Sequence, residues 1–310
     1  MKRFNGIALS VAFCSLASQA ALAQTKIDTL KVQNLNEVIV KGVRAAKEAP
    51  YAVANIRKSE LKQFSCSGQE LPFLLSRTPG ILAWSENGIG TGTTYMRIRG
   101  AAGSRINVTL DGVALNSPED QTVFWANMNS YSSLLGSIQV QRGVGSSTNG
   151  DGAFGGSISM ATAAPSLTPT AEVTGSFGSY NTYHTGASFS TGLLGKHLIF
   201  DGAYHETATD GYVDGTAGRS GSYYGGLTWL SDNFKVSYKN IGNFEKTGQA
   251  WNGVLGGDYN SNFSLLQDGI RTYKDMYKAG LDKFNVLTGD MVRNDKGDYT
   301  ITPYTLRDGS

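Results

Sequence analysis

The side chains of this 310-residue chain that could do chemistry are few and scattered. His184, His197 and His205, its only histidines, each fall in a strand-like segment. None has a helical i, i+4 partner or a cysteine beside it, so spacing assembles neither a metal centre nor a catalytic base. Gly88, Gly90 and Gly92 crowd the stretch from Trp84 to Thr94 (WSENGIGTGTT) with the density of a phosphate loop. No Walker lysine follows and no βαβ frame surrounds it, so nucleotide binding is not expected. No nucleophile is patterned with a base, which argues against an enzyme, and nothing calls for a cofactor. Binding chemistry is better represented. Phe124 and Trp125 stand together in Asn116 to Met128 (NSPEDQTVFWANM), as two core aromatics of a short capped helix or as part of a ligand-facing loop. Trp84 and Asn87 belong to the glycine-rich stretch, and Trp251 and Asn252 to a polar one. An aromatic beside an amide suits a polar ligand, although local packing explains it equally well. Glu37-Val38-Ile39-Val40 is a β-prone tetrad in an otherwise polar, irregular segment. It reads either as a first strand of the globular region or as a strand that adds to another protein's sheet edge through backbone hydrogen bonds.

The elements that would position these residues begin with Ile138 to Thr162 (IQVQRGVGSSTNGDGAFGGSISMAT). Ile138 and Val140 alternate with Gln139 and Gln141, and Ile158 and Met160 with Ser157 and Ser159, predicting two strands with one buried face each. Arg142 marks the first strand's exit, and Gly143, Gly155 and Gly156 lie in the tight loop that follows. Upstream, Tyr95 to Gly100 alternates, and Ile106 to Leu110 runs into Asp111-Gly112-Val113, a hairpin-turn signal. Ser59-Glu60-Leu61 predicts a helical turn. Ser67-Gly68-Gln69-Glu70 matches a capping box opening a helix that presents Leu71, Leu74 and Leu75 on one face and ends at Thr78-Pro79-Gly80.

The order of these parts resembles the plug domain of TonB-dependent outer-membrane receptors. Its closing signature, IxVxRG…G…GAxGGxIxxxT, corresponds to Ile138 through Thr162. Arg97, Arg99, Gly100, Asp111, Gly112, Arg142, Gly143, Gly155 and Gly156 fall on its conserved-type positions. The resemblance implies that Arg99 and Arg142 face carboxylates of a barrel wall, since a charge inside a lumen needs a partner. It also makes Glu37 to Val40 a TonB box, Trp84 to Thr94 an apical plug loop, and Trp251 and Asn252 part of an extracellular loop.

Met1 to Ala23 reads as a secretory signal: basic Lys2 and Arg3, apolar Ile7 to Ala17, and the small-residue site Ala21-Leu22-Ala23. Without Lys2 and Arg3 the chain balances 25 acidic residues against as many basic ones, so nucleic acid is a poor partner. Cys66 alone survives cleavage, so no internal disulfide forms. No stretch reaches about 18 apolar residues, which excludes a helical span but not a barrel. After Pro165 come five strand-like segments: two around Gly178-Ser179-Tyr180-Asn181, then His197 to Glu206, Tyr223 to Leu230 and Phe234 to Phe244. Asp275 to Leu281 and Tyr299 to Leu306 are further candidates. Phe234, Val236 and Tyr238 alternate with Lys235, Ser237 and Lys239, an apolar face against a charged one. The expected fold is therefore an α+β plug domain followed by antiparallel transmembrane β-barrel strands, too few to close a barrel, as in a fragment. Residues 1–23 form the signal, 24–50 the arm with the box, 51–165 the plug, and 166–310 the first barrel strands and loops.

The expected function is TonB-dependent uptake of a scarce nutrient across the outer membrane. TonB with its inner-membrane energising complex, outer-membrane lipid and a small-molecule or metal-chelate ligand are the implied partners. The short arm before the box favours a ferric siderophore or cobalamin-like ligand over an oligosaccharide. A secreted β-rich adhesin is the alternative from another class; it would share the glycines and tyrosines but need no plug signature.

Overall fold

The computed structural model describes residues 44–45, 52–144, 153–231, 234–250, 273–278, 282–283, 285, 291–293 and 299–301. The first unit is α+β. Strand β1 (Ala52–Arg57) leads directly into helix α1 (Lys58–Ser65), followed by the short α2 (Leu71–Leu75). A hairpin of β2 (Ile81–Ser85) and β3 (Thr94–Ile98) stands apart from the main sheet. That sheet is built from β1, β4 (Ile106–Leu110), β5 (Val113–Ala114), β6 (Leu135–Arg142) and β7 (Gly156–Thr162), in the order β1-β6-β7-β4-β5. Its β4–β7 pair is parallel and the others antiparallel.

Helical caps differ from expectation. The box Ser67 to Glu70 does not close: the Ser67 hydroxyl donates to the Phe64 carbonyl instead, finishing α1. Only half of such a box forms, at the start of α1, where the Glu60 carboxylate accepts the Arg57 N–H at 2.8 Å. Pro72 inside the first turn of α2 has no N–H that needs an acceptor, and that helix starts without a side-chain cap. Leu71, Leu74 and Leu75 are buried as the sequence predicts, joining Leu61, Phe64, Ile138, Val140, Ile158 and Met160 in one core.

The two strands of the signature differ from the one-sided expectation, because β7 is buried along its whole length and Gln139 and Gln141 are buried on β6. Residues 44 and 45 supply part of the cover. Gln139 exchanges two hydrogen bonds with the Ala45 backbone, as a paired strand residue would, and Arg44 donates to Ser137 and Ser159. A polar face buried in this way stays satisfied by donors and acceptors brought from the arm.

From Thr170 to Thr247 the chain is an antiparallel meander: β8 (Thr170–Phe177), β9 (Tyr183–Ser190), β10 (Leu198–Thr209), β11 (Gly218–Leu230) and β12 (Lys235–Thr247), each paired with its neighbour in sequence. It is not closed into a barrel. The five expected strands are all present, and the last three extend beyond their expected C-terminal or N-terminal limits. Side-chain alternation holds. Phe200, Tyr204, Tyr223, Leu227, Val236 and Tyr238 share an exposed face, while His205, Ser222 and Lys239 lie on the other. Asp275, expected in a strand, belongs instead to helix α3 (Tyr273–Lys278), whose Tyr-Lys-Asp-Met-Tyr-Lys sequence lacks the β-branched residues a strand favours. The start of the other doubtful segment is a strand: β13 (Met291–Arg293) pairs with β14 (Tyr299–Ile301).

Candidate functional site

Where the α+β unit meets β12 there is a cleft of about 990 Å³. The β2–β3 register makes Trp84 and Tyr95 cross-strand partners, and their rings stack at 5.5 Å between centroids. Arg97, two residues along β3 on the same face as Tyr95, lays its guanidinium 5.9 Å from the Trp84 ring centroid. The Tyr95 hydroxyl donates to Glu86 at 2.7 Å. Burial, reinforced by that acceptor, pushes the Tyr95 phenol up to about 12, so it remains a neutral donor.

The second wall is the segment Asp120 to Asn127. Asp120 accepts from the Thr122 N–H and hydroxyl, which hold its carboxylate below the usual range and pin the turn. A 3₁₀ turn (Trp125–Met128) follows, so both earlier readings of this stretch apply in part: Trp125 is 6 % exposed and packs in the core, whereas Phe124 is 59 % exposed at the cleft. Glu245, Lys246, Thr247 and Gln249 close the third side. Stacked aromatics with ionic groups of both signs suit a flat or aromatic ligand carrying polar substituents, and the volume lies at the upper end of small-molecule sites.

Asn87 is not in the cleft. Its amide is buried within its own loop, donating to Thr91 and accepting from the Ile89 N–H, and its carbonyl accepts from Tyr212 and Val213. The remaining signature residues lie together elsewhere and act on the backbone. Arg99 and Gly100, with φ of 50° and 82°, form a two-residue turn closed by the Ile98 and Ala101 amides and carbonyls. Arg142 donates to the Pro79 carbonyl at 2.7 Å, Gly143 N–H to Gly155 O at 2.8 Å, and Gly155 N–H to Arg105 O at 2.9 Å. A Cβ on Gly156 would sit 2.3 Å from the Gln141 carbonyl, so only glycine fits there. Three turns are thereby stitched into one corner. Among the described residues neither Arg99 nor Arg142 is ion-paired with a carboxylate of the meander; the charge pairs that bridge to the meander are Lys62–Glu172 and Lys239–Asp111, both at 2.8 Å with the acid and base in opposite senses.

Asp111 and Gly112 form the expected turn, with φ of 50° and 85°. Asp111 has a second role that the hairpin signal did not reveal: it accepts from the Thr162 N–H and hydroxyl and from Lys239 on β12. Glu245 and Lys246 in the cleft were also missed, since nothing local ties β12 to residues more than a hundred positions earlier. His184 and His205, separate in sequence, stack at 5.8 Å across the β9–β10 pair. No cluster of three or more His, Cys, Asp or Glu side chains capable of holding a metal occurs among the described residues. Glu37 to Val40, Trp251 and Asn252 lie outside the described residues.

Residues 45–157 match the family model of the TonB-dependent receptor plug domain. The chain carries a TonB-dependent receptor plug. Solved structures of such receptors share the fold. Pseudomonas aeruginosa FpvA bound to heterologous pyoverdines aligns with 65 % of this chain at 18 % identity and a TM-score of 0.53. The ferric yersiniabactin uptake receptor FyuA from Yersinia pestis aligns with 66 % at 15 % identity and 0.52, and the copper transporter OprC with 67 % at 14 % identity and 0.52. The alignments span 26 %, 34 % and 32 % of those chains, so this chain corresponds to about a third or less of their length. Comparison with characterised protein sequences gives no match. The family consists of receptors and transporters rather than enzymes. The α+β unit is thus the plug, and an antiparallel meander follows it in the chain.

Proposed function

We propose that this protein is a TonB-dependent outer-membrane transporter that takes up a metal chelate, a ferric siderophore or cobalamin-like molecule, into the cleft between plug and wall. The single observation that carries the ligand reading is the cleft itself, whose stacked Trp84 and Tyr95, exposed Phe124, Arg97 and Lys246 suit an aromatic, polar or anionic chelate better than a plain apolar molecule. Neighbouring folds that handle pyoverdines, ferric yersiniabactin and copper add weight to the metal-chelate class. In this reading residues 1–23 direct export, 24–50 carry the box Glu37 to Val40 that pairs with TonB, 51–165 occlude the lumen, and 166–310 open the barrel. The exposed Phe200, Tyr204, Leu227 and Tyr238 face of the meander meets lipid, and the face bearing Lys239 meets the plug. No helix among the described residues is long and apolar enough to cross a membrane. The test is binding: tryptophan emission of the full-length protein is followed against a panel of ferric siderophores, corrinoids and oligosaccharides. Saturable quenching by a chelate supports the reading, and saturable binding of an oligosaccharide alone reverses it.

A further inference from the structure

Glu86 is the first residue past β2, and its N–H donates to the Thr93 carbonyl at 3.2 Å, so the β2–β3 pairing continues one step beyond the strands. Residues two apart on an extended segment share a face. Glu86 therefore stands next to Trp84 and diagonally across from Tyr95, on the face that also carries Arg97. It is half-buried, and both of its carboxylate oxygens accept hydrogen bonds. Oε1 takes the Tyr95 hydroxyl at 2.7 Å, and Oε2 takes the Ala250 N–H at 3.0 Å, from the chain just past β12. Tyr95 belongs to the first wall of the cleft and Gln249 to the third, whereas Glu86 stands outside the lining. One carboxylate ties those two walls together. Asn285 gives the third wall a second anchor, donating to the Gln249 carbonyl at 2.9 Å.

We propose that Glu86 is a positioning residue for the cleft, holding the Tyr95 ring against Trp84 and residues 249–250 at a fixed distance from that ring. The inference rests on reading the cleft as the ligand site. An aromatic stack with centroids 5.5 Å apart leaves the tilt of Tyr95 free to vary, and the bond at its hydroxyl removes that freedom. The Ala250 bond does the same for the chain leaving β12. Walls ordered before the ligand arrives spare the ordering cost that binding would otherwise carry. Both donors are neutral, so an amide can replace the carboxylate. Glutamine would turn its oxygen to the Ala250 N–H, which can only donate, and its NH₂ to the Tyr95 hydroxyl oxygen, which can also accept. Alanine reaches neither partner.

The experiment uses the detergent-solubilised full-length protein and two readouts: calorimetric binding of a naphthalene disulfonate, a flat aromatic dianion, and amide hydrogen exchange. Trp84→Ala should abolish the binding, which places the probe in the cleft. Glu86→Ala should weaken it about tenfold, the scale of one hydrogen bond to a charged group. The same variant should speed exchange at Ala250 while the paired amides of β2 and β3 keep their protection. Glu86→Gln should stay close to the wild type in both readouts. Tyr95→Phe, which keeps the ring and loses one link, should bind between wild type and Glu86→Ala. Unchanged affinity in Glu86→Ala, or a Glu86→Gln protein as impaired as Glu86→Ala, overturns the proposal. So does loss of protection throughout β2–β3 in Glu86→Ala, because Glu86 would then hold the hairpin together instead of placing the cleft walls. A wild type that does not bind the disulfonate removes the cleft reading and this proposal with it, whereas binding that is indifferent to Glu86 removes this proposal alone.

Discussion

Replacing Asp111 with Asn should loosen the plug from β12 without disturbing the turn that carries it. Asparagine tolerates the left-handed conformation at this position at least as well as aspartate, so the two-residue turn survives. What changes is the acceptor. Asp111 takes bonds from the Thr162 N–H at 2.9 Å, the Thr162 hydroxyl at 2.8 Å and Lys239 Nζ at 2.8 Å. Bonds to a charged group contribute about 1.5–3 kcal/mol and neutral ones about 1 kcal/mol. The Lys239 pair is about a third exposed, so screening reduces its share towards the range of about 0.2–1 kcal/mol found at surfaces. The expected cost is about 1–2 kcal/mol near neutral pH. The sign with pH is fixed by the carboxyl: burial alone would raise it, but Lys239 and Thr162 together outweigh burial and hold it below its usual value. Its stabilisation is therefore complete above about pH 4 and fades as pH falls through the lower folded-state value. Thermal melting of the plug in wild type and Asp111→Asn should show a gap that closes on acidification. A gap of the same size at every pH, or none at neutral pH, would refute the reasoning.

Phe124→Ala should weaken ligand binding measured by tryptophan quenching while leaving the melting temperature within experimental scatter, because the ring is mostly exposed. Trp125→Ala should behave differently, lowering stability by about 3–5 kcal/mol in a urea melt through loss of a buried ring. Gly156→Ala should give mostly misfolded plug by trypsin digestion, since its methyl would press on the Gln141 carbonyl at 2.3 Å. Val38→Pro, which removes a backbone donor from the β-prone tetrad, should abolish capture of the full-length protein on immobilised TonB; undiminished capture would remove the box assignment.

Local patterns carried most of the plug. The alternation at Ile138–Gln141 and Ile158–Met160 located β6 and β7, and Asp111-Gly112 located a turn whose two positive φ values are what that dipeptide supplies. The meander was legible for the same reason: a period of two runs through Phe234–Lys239, and it breaks only at Ile241, which lies on the face of Lys239 and packs against the core. What escaped depends on distant partners. Gln139 and Gln141 read as a solvent face because nothing nearby announces that the arm will bring the Ala45 backbone and Arg44 to cover it. The capping box at Ser67 was plausible until the Phe64 carbonyl competed for the same hydroxyl. Of the cleft, Trp84, Arg97, Phe124 and Trp125 were visible as residue types, whereas Asn87 turned inward to its own loop and Glu245 and Lys246 came from β12. The charge contacts with the meander run through Asp111–Lys239 and Lys62–Glu172, and the arginines of the signature organise turns among the described residues.

The measurement closest to the central claim is uptake of a radiolabelled ferric siderophore by cells expressing the full-length protein, with TonB present or deleted. The account predicts saturable accumulation that disappears without TonB and falls sharply when Trp84 and Phe124 are both changed to alanine. Accumulation that persists without TonB, or that is indifferent to both aromatic changes, would contradict it.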